Sequence, residues 1–210
     1  LGYAFGDDGD RVCEIVFNTS MVGYQKILSD PSYTYQAVVM TYPLIGNYGT
    51  ADDDYEREIS TIGALIVREY NDEPSNFRNT ATLSQVMKKF KIPGIYGVDT
   101  RKLTRSIRDR GSRKVLITDI DTPLEKGLEI LNKTDIPTDA VSKVSCLKMH
   151  TVYAKDEKYR VVAIDCGMKN NILCSLNARG CTVTVVHWNT TAEQIDGLNP
   201  DGVFISNRHG

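Results

Sequence analysis

The sequence predicts a chain in two parts. A β-rich α+β region spans residues 1–154, and the opening βαβαβ portion of a parallel-sheet α/β domain spans 155–210. Three observations carry this. Short β-branched and aromatic runs alternate with turns in the first part and lead into two helix-like segments. In the second part continuous apolar strands alternate with helical periods. Between them the charged stretch "YAKDEKYR", 153–160, has no apolar periodicity and reads as the linker.

The runs "RVCEIVFN" (11–18), "YQAVVMTY" (35–42) and "IGALIVREY" (62–70) read as strands. Between the first two lies "SDPSY", 29–33, a turn in which Pro31 presets φ and the Ser and Asp side chains bond the local backbone. By spacing alone Ser32 is a turn residue. "DDD" at 52–54 lacks the ligand spacing of a calcium loop and reads as a solvated loop. Helical segments follow around "LSQVMKKFK" (83–91) and "TRKLTRSIRDR" (100–110). In the latter, Arg101, Arg105 and Arg108 share one face, with Leu103 and Ile107 on another. The bland reading is an amphipathic surface helix with a solvated basic side, and the functional one is a docking face for an acidic partner domain. No aromatic residues interleave the arginines, which argues against nucleic acid.

In the second part "VVAID" (161–165) is a continuous apolar strand, and "KNNILCSLNAR" (169–179) carries Ile172, Leu173 and Leu176 at helical spacing. Gly180 suits the helix end. "CTVTVVHW" is a second strand, "TAEQIDGL" a short helix, "NPDG" a turn and "VFIS" a third strand. This spacing is the mark of right-handed crossovers in a parallel sheet. Three strands are few for a doubly wound domain, so the sequence reads as stopping inside one.

Composition bounds the function. Of 210 residues 41% are hydrophobic, enough for a real core, and the formal charge of -2 supplies no global attraction to nucleic acid or anionic membrane. No stretch has the roughly 18 apolar residues of a membrane span, and no basic-then-apolar signal opens the chain, so a cytoplasmic protein is expected. The five cysteines are odd in number and form no C-x-x-C pair. Free thiols are expected rather than a disulfide framework or a metal site.

Cys166 sits at a strand-to-helix corner, where α/β enzymes often display a nucleophile. An elbow needs small residues two before and two after the nucleophile, and here those are Ile164 and Met168. A catalytic thiolate also needs a base, and the only histidines are His150, His187 and His209. Cys166 therefore reads as structural. His187 and Trp188, ending the second strand, could line a pocket, but packing or strand-end burial is the more frequent fate. A nucleotide or flavin site would need a glycine-rich loop after the first strand, and "DCGMKNN" supplies one glycine.

Six blocks add a resemblance: "EIVFNTSMVGYQKILSDPSY" (14–33), "TYPLIGNYGT" (41–50), "SNFRNT" (75–80), "IPGIYGVDTRKLTRSIRDRG" (92–111), "VVAIDCGMKNNIL" (161–173) and "NPDGVFISN" (199–207). Together they span nearly the whole chain, and it resembles the small, glutamine-hydrolysing subunit or domain of carbamoyl-phosphate synthetase. The resemblance implies an N-terminal domain that packs on the synthetase partner, followed by a class I glutamine amidotransferase domain of flavodoxin-like type. In that family a Cys in a G-x-C-x-G elbow attacks the carboxamide of glutamine, helped by His and Glu. Ammonia then passes through a tunnel to a separate large subunit or fused synthetase domain, which uses bicarbonate, ATP and Mg.

The elbow Cys, the His and the Glu are all expected beyond Gly210, so no catalytic residue and no cofactor is expected within these residues. Ser32 matches the family's glutamine-contacting Ser. The closing "SNRHG" matches a glutamine-binding loop that reads S-N-G-P-G in the family. Gly210 keeps its glycine there, while Arg208 and His209 stand for the Gly and the Pro. An Arg side chain would crowd a site whose glycine permits unusual φ. That departure motivates an alternative, a non-catalytic pseudo-glutaminase that docks and regulates an ammonia-dependent synthetase.

Overall fold

The computed structural model describes residues 1–21, 23–47, 60–73 and 81–207, which form two compact units, Leu1–Thr138 and Asp139–Gly210. In chain order the first holds β1 (Tyr3–Gly6), β2 (Arg11–Asn18), α1 (Tyr24–Leu28), a 3-10 turn (Pro31–Tyr33), β3 (Gln36–Met40) and β4 (Leu44–Ile45). It continues with β5 (Ala64–Ile66), β6 (Glu69–Tyr70), α2 (Leu83–Lys89), β7 (Pro93–Tyr96), α3 (Thr100–Arg110), β8 (Arg113–Ile117) and α4 (Leu124–Lys133). The main sheet has the order β1-β7-β5-β3-β2-β8. Its inner strands β7, β5, β3 and β2 run parallel, and the edge strands β1 and β8 are antiparallel to them.

Central position explains why β3, "QAVVM", is buried at every residue: a strand covered on both faces has no polar side to show. Val38 and Met40 pack with Tyr24 and Leu28 of α1 and with Leu83 and Met87 of α2. Ala37 and Val39 face the other way, onto Cys13, Ile15 and Ile107, with Leu103 packed against them. Helix α3 thus buries its apolar stripe. It starts where the Asp99 carboxylate accepts the Lys102 N–H at 2.9 Å, a cap that satisfies one of the donors left open at a helix start.

The second unit contains α5 (Ala140–Val144), β9 (His150–Val152), β10 (Tyr159–Asp165), α6 (Asn170–Asn177), β11 (Cys181–His187), α7 (Ala192–Asp196) and β12 (Gly202–Ile205). Its sheet has the order β12-β10-β11-β9. β10 pairs in parallel with both β11 and β12, so α6 and α7 are crossover helices as expected from the sequence. At Gly180, with φ +85°, a Cβ would lie 2.8 Å from the Asp156 carbonyl oxygen, so the turn out of α6 requires glycine.

Two features differ from the sequence reading. The units divide between Thr138 and Asp139, earlier than the 154/155 boundary. The reason is β9, which pairs antiparallel with β11 and draws the preceding residues into the second unit. The charged stretch 153–160 consequently joins two strands of one sheet. It is held there by Ala154 N–H to Thr182 Oγ1, 3.1 Å, and Lys158 N–H to the Gly180 carbonyl, 2.8 Å. Among the described residues no helix is long and apolar enough to cross a membrane.

Candidate functional site

Ser32 lies on the 3-10 turn that leads from α1 into β3, and the turn is braced on every side. The Asp30 carboxylate accepts the Ser32 N–H at 3.0 Å. Tyr33 N–H bonds the Asp30 carbonyl at 3.1 Å, and the Tyr33 hydroxyl accepts Asn18 Nδ2 at 2.9 Å. Thr34, buried beside it, donates its hydroxyl to the Pro31 carbonyl at 2.7 Å and pairs with the Thr61 hydroxyl at 2.7 Å. Tyr35 follows with φ +61°, a left-handed conformation costly for a bulky residue and held by its N–H bond to the Thr61 carbonyl, 3.1 Å. Within this frame Ser32 is half-buried, and among the described residues its hydroxyl has no hydrogen-bond partner. A fixed backbone with an uncommitted hydroxyl is what a polar ligand contact requires.

The corner after β10 is organised by a residue that motif reading passed over. Asp165 is 1% exposed. Its Oδ1 accepts the N–H groups of Gly167 (2.9 Å) and Met168 (2.7 Å), and its Oδ2 accepts that of Cys146 (2.8 Å). Cys166, half-buried, donates its N–H to Ser206 Oγ at 2.8 Å. Gly167 has φ +109°, which releases the chain from strand to helix. Met168 is buried in the core beneath α6, and Ile164 packs on the opposite face of the sheet. The two bulky residues that exclude a nucleophile elbow are therefore core residues, and the corner is built to hold shape.

Several other sequence candidates separate. His187 bonds Asn189 through Nδ1. Strand-end burial does not hold for Trp188, which is 43% exposed because the chain turns outward there, its N–H donated to Ser145 Oγ at 3.0 Å. On α3, Arg101, Arg105 and Arg108 are exposed as the amphipathic pattern implies, and Arg108 Nε bonds the Asp109 carboxylate at 2.8 Å. That pairing holds the Asp109 carboxyl below its ordinary range. Arg208, His209, Gly210 and the "DDD" segment lie outside the described residues.

Comparison with known proteins gives these features a context. Residues 1–117 match the family described as carbamoyl-phosphate synthase small chain, CPSase domain, and residues 162–209 match glutamine amidotransferase class-I. A carbamoyl phosphate synthase small chain from Fusobacterium nucleatum is 48% identical over 209 residues, and one from Staphylococcus haemolyticus is 48% identical over 209. A pyrimidine-specific small chain from Bacillus subtilis is 46% identical over 209 residues. Each alignment covers 100% of this chain, which spans 57 to 58% of the length of these relatives.

Proposed function

The chain belongs to the carbamoyl-phosphate synthase small-chain family, and from that premise we propose that it is part of the glutaminase component of a carbamoyl-phosphate synthetase. Glutamine is the substrate. The nucleophile is a Cys in a G-x-C-x-G elbow, which none of the five cysteines of this sequence occupies. Attack on the carboxamide gives a glutamyl thioester and ammonia; water hydrolyses the thioester, and the ammonia passes to the synthetase partner, a large subunit or fused domain, for reaction with bicarbonate and ATP. A thiolate suits this step because it attacks an amide more readily than a hydroxyl would, while backbone N–H donors stabilise the oxyanion. Cytoplasmic location and a role in pyrimidine or arginine biosynthesis accompany this reading.

The observation that supports the proposal is the Ser32 hydroxyl, without a partner among the described residues on a turn braced by Asp30, Tyr33 and Thr34. Ser32 is assigned to the amide or carboxylate of bound glutamine, with the Gly210 loop supplying backbone contacts. In the full-length protein with its synthetase partner, Ser32→Ala is expected to raise KM for glutamine roughly three- to tenfold with little change in kcat, the loss of one neutral hydrogen bond made equally in ground and transition states. An unchanged KM removes Ser32 from the site. The 210 residues by themselves are expected to release no ammonia from glutamine, and measurable glutaminase activity from them would overturn the assignment of the nucleophile.

A second reading is favoured by one observation, Arg208 and His209 in the closing loop. A side chain as long as Arg at the position of a substrate-cradling glycine suits a scaffold that docks and regulates a synthetase fed by free ammonia. The residue at the elbow position of the full gene separates the two: Cys for the glutaminase, another residue for the regulator.

A further inference from the structure

A concavity of about 400 Å³ opens in the first unit, lined by residues from three stretches of chain. Thr41 and Pro43 follow β3, Arg68 follows β5, and Thr100, Arg101, Thr104 and Arg105 belong to α3, which follows β7. These three strands are neighbours in the sheet and run parallel, so all the lining residues gather outside their carboxyl ends. That edge is where open parallel sheets bind ligands, because loops and helix starts converge there. The loops are tied to one another by backbone bonds, Glu69 N–H to the Pro43 carbonyl at 2.8 Å and Gly97 N–H to the Arg68 carbonyl at 2.9 Å.

The chemistry of the lining has one sign. Among the described residues that line it, Arg68, Arg101 and Arg105 bring three guanidinium groups, and Pro43 is the one apolar residue. Of the nearby carboxylates, Glu69 makes a long, exposed contact of 3.9 Å with Arg68 Nε, Asp99 caps α3, and Asp109 bonds Arg108. None of them lines the concavity. Among the described residues the Arg101 side chain has no hydrogen-bond or ion-pair partner.

Two hydroxyls give an independent sign of a ligand. Thr100 is 2% exposed, yet its side chain makes no hydrogen bond. Thr104 Oγ1 is buried with no hydrogen-bond partner among the described residues. A buried hydroxyl that bonds nothing, as at Thr104, is costly, and proteins rarely keep one without a use for it. The purely structural function of α3, burial of Leu103 and Ile107, requires neither.

We propose that this concavity binds a phosphoryl-type oxyanion, clasped by Arg68, Arg101 and Arg105 with the Thr100 and Thr104 hydroxyls as donors. Planar guanidinium forks match the oxygens of phosphate two at a time, and three of them around one ligand suit a group with three or more acceptor oxygens better than a two-oxygen carboxylate. A volume of about 400 Å³ exceeds a bare phosphate, so the natural ligand is a phosphorylated small molecule.

The test is a titration of the full-length protein with inorganic phosphate at constant ionic strength, followed by calorimetry and by the amide resonances of residues 100–105, with acetate as comparator. Saturable binding that acetate does not reproduce is expected, and Arg101→Gln or Arg105→Gln should weaken it by about tenfold or more. Both arginines are exposed, so neither change opens the core; Thr104→Val provides a second measure. It removes an unsatisfied hydroxyl at nearly constant shape, and is expected to raise the melting temperature of the free protein while weakening phosphate binding. Absence of saturation, equal binding of acetate, or phosphate binding indifferent to Arg101→Gln each overturns the proposal. So does an Arg101→Gln protein that keeps phosphate affinity but loses association with the synthetase partner, since the arginines would then be a docking face.

Discussion

In the first unit α1 and α2 cover one face of the sheet and α3 the other, leaving central β3 buried at all five positions. In the second, α6 covers one face, but on the other the five-residue α7 reaches β10 and β11 through Ile195, and on β12 Val203 and Ile205 remain 51% and 66% exposed. Register puts Val203 beside Val162 and Ile205 beside Ile164, on the same face. "AVVM" and "VFI" look alike as sequence, yet one is sealed and the other half bare. An apolar run states a demand for cover, and whether the demand is met depends on which helices lie over it.

The sharpest way to break the comparison is thiol chemistry. Cys13, in β2, is fully buried, and desolvation pushes its thiol up to about 12 against the weaker opposing pull of Arg11. Cys174, on α6, is exposed. At pH 8 a disulfide reagent should label Cys174 first and Cys13 at least about a thousandfold more slowly, because so little thiolate forms at the buried site. The folded state disfavours the Cys13 thiolate, so the associated stability is complete below about pH 9 and is lost as pH rises toward about 12. Denaturation midpoints measured across that window should fall in the parent and fall less in Cys13→Ala. Comparable labelling rates for the two cysteines would mean that the first unit opens often enough to expose Cys13.

Core truncation comes next. Leu65, fully buried in β5, packs into the cluster under α1 and α2, so Leu65→Ala is expected to cost about 2–5 kcal/mol through lost burial and a residual cavity. Val203→Ala should cost less than about 0.5 kcal/mol, since the side chain is already half in water. Similar losses in urea titrations would show that β12 is covered in solution.

The third prediction concerns the corner after β10. Asp165→Ala leaves the N–H groups of Cys146, Gly167 and Met168 without their acceptor, an expected loss of about 3 kcal/mol, felt as faster amide exchange at 146 and 167–168. A loss below about 1 kcal/mol would mean that water replaces the carboxylate.

These sites also mark how far the sequence could be read. Helix α3 was legible as a segment, because Leu103 and Ile107 repeat at helical spacing and its role in the core is the one the pattern implies, while its Asp99 cap came from the structure. Helix α4 was not, since it buries no residue and Leu124 and Leu128 stay exposed. Strand β9 is three residues long and exists through its pairing with β11, a tertiary fact that local propensity cannot carry. The same holds for sites. Ser32 reads as an ordinary turn residue until its motif is compared with a family, and the arginine concavity joins residues 41, 68 and 101, which only the strand order makes neighbours.

The smallest effect sharpens the comparison most, because both units contain the same device. Thr82 and Thr191 each accept an N–H three residues on, from Gln85 and Gln194, while the glutamine side chain returns to the threonine N–H at 3.0 Å. By local energetics Thr82→Ala and Thr191→Ala should cost the same, about 1 kcal/mol, since each leaves the same donor, the glutamine N–H, without its acceptor. Their surroundings differ. Helix α2 buries Leu83, Val86 and Met87 and is held by that face after its cap is lost. Helix α7 buries Ile195 alone, so its cap is a larger share of what keeps it wound. Equal losses in global stability are therefore expected to come with unequal local ones, with amide exchange accelerating in residues 192–196 well beyond 83–89. If both helices loosen alike, uneven cover is not what sets the local stability of the second unit.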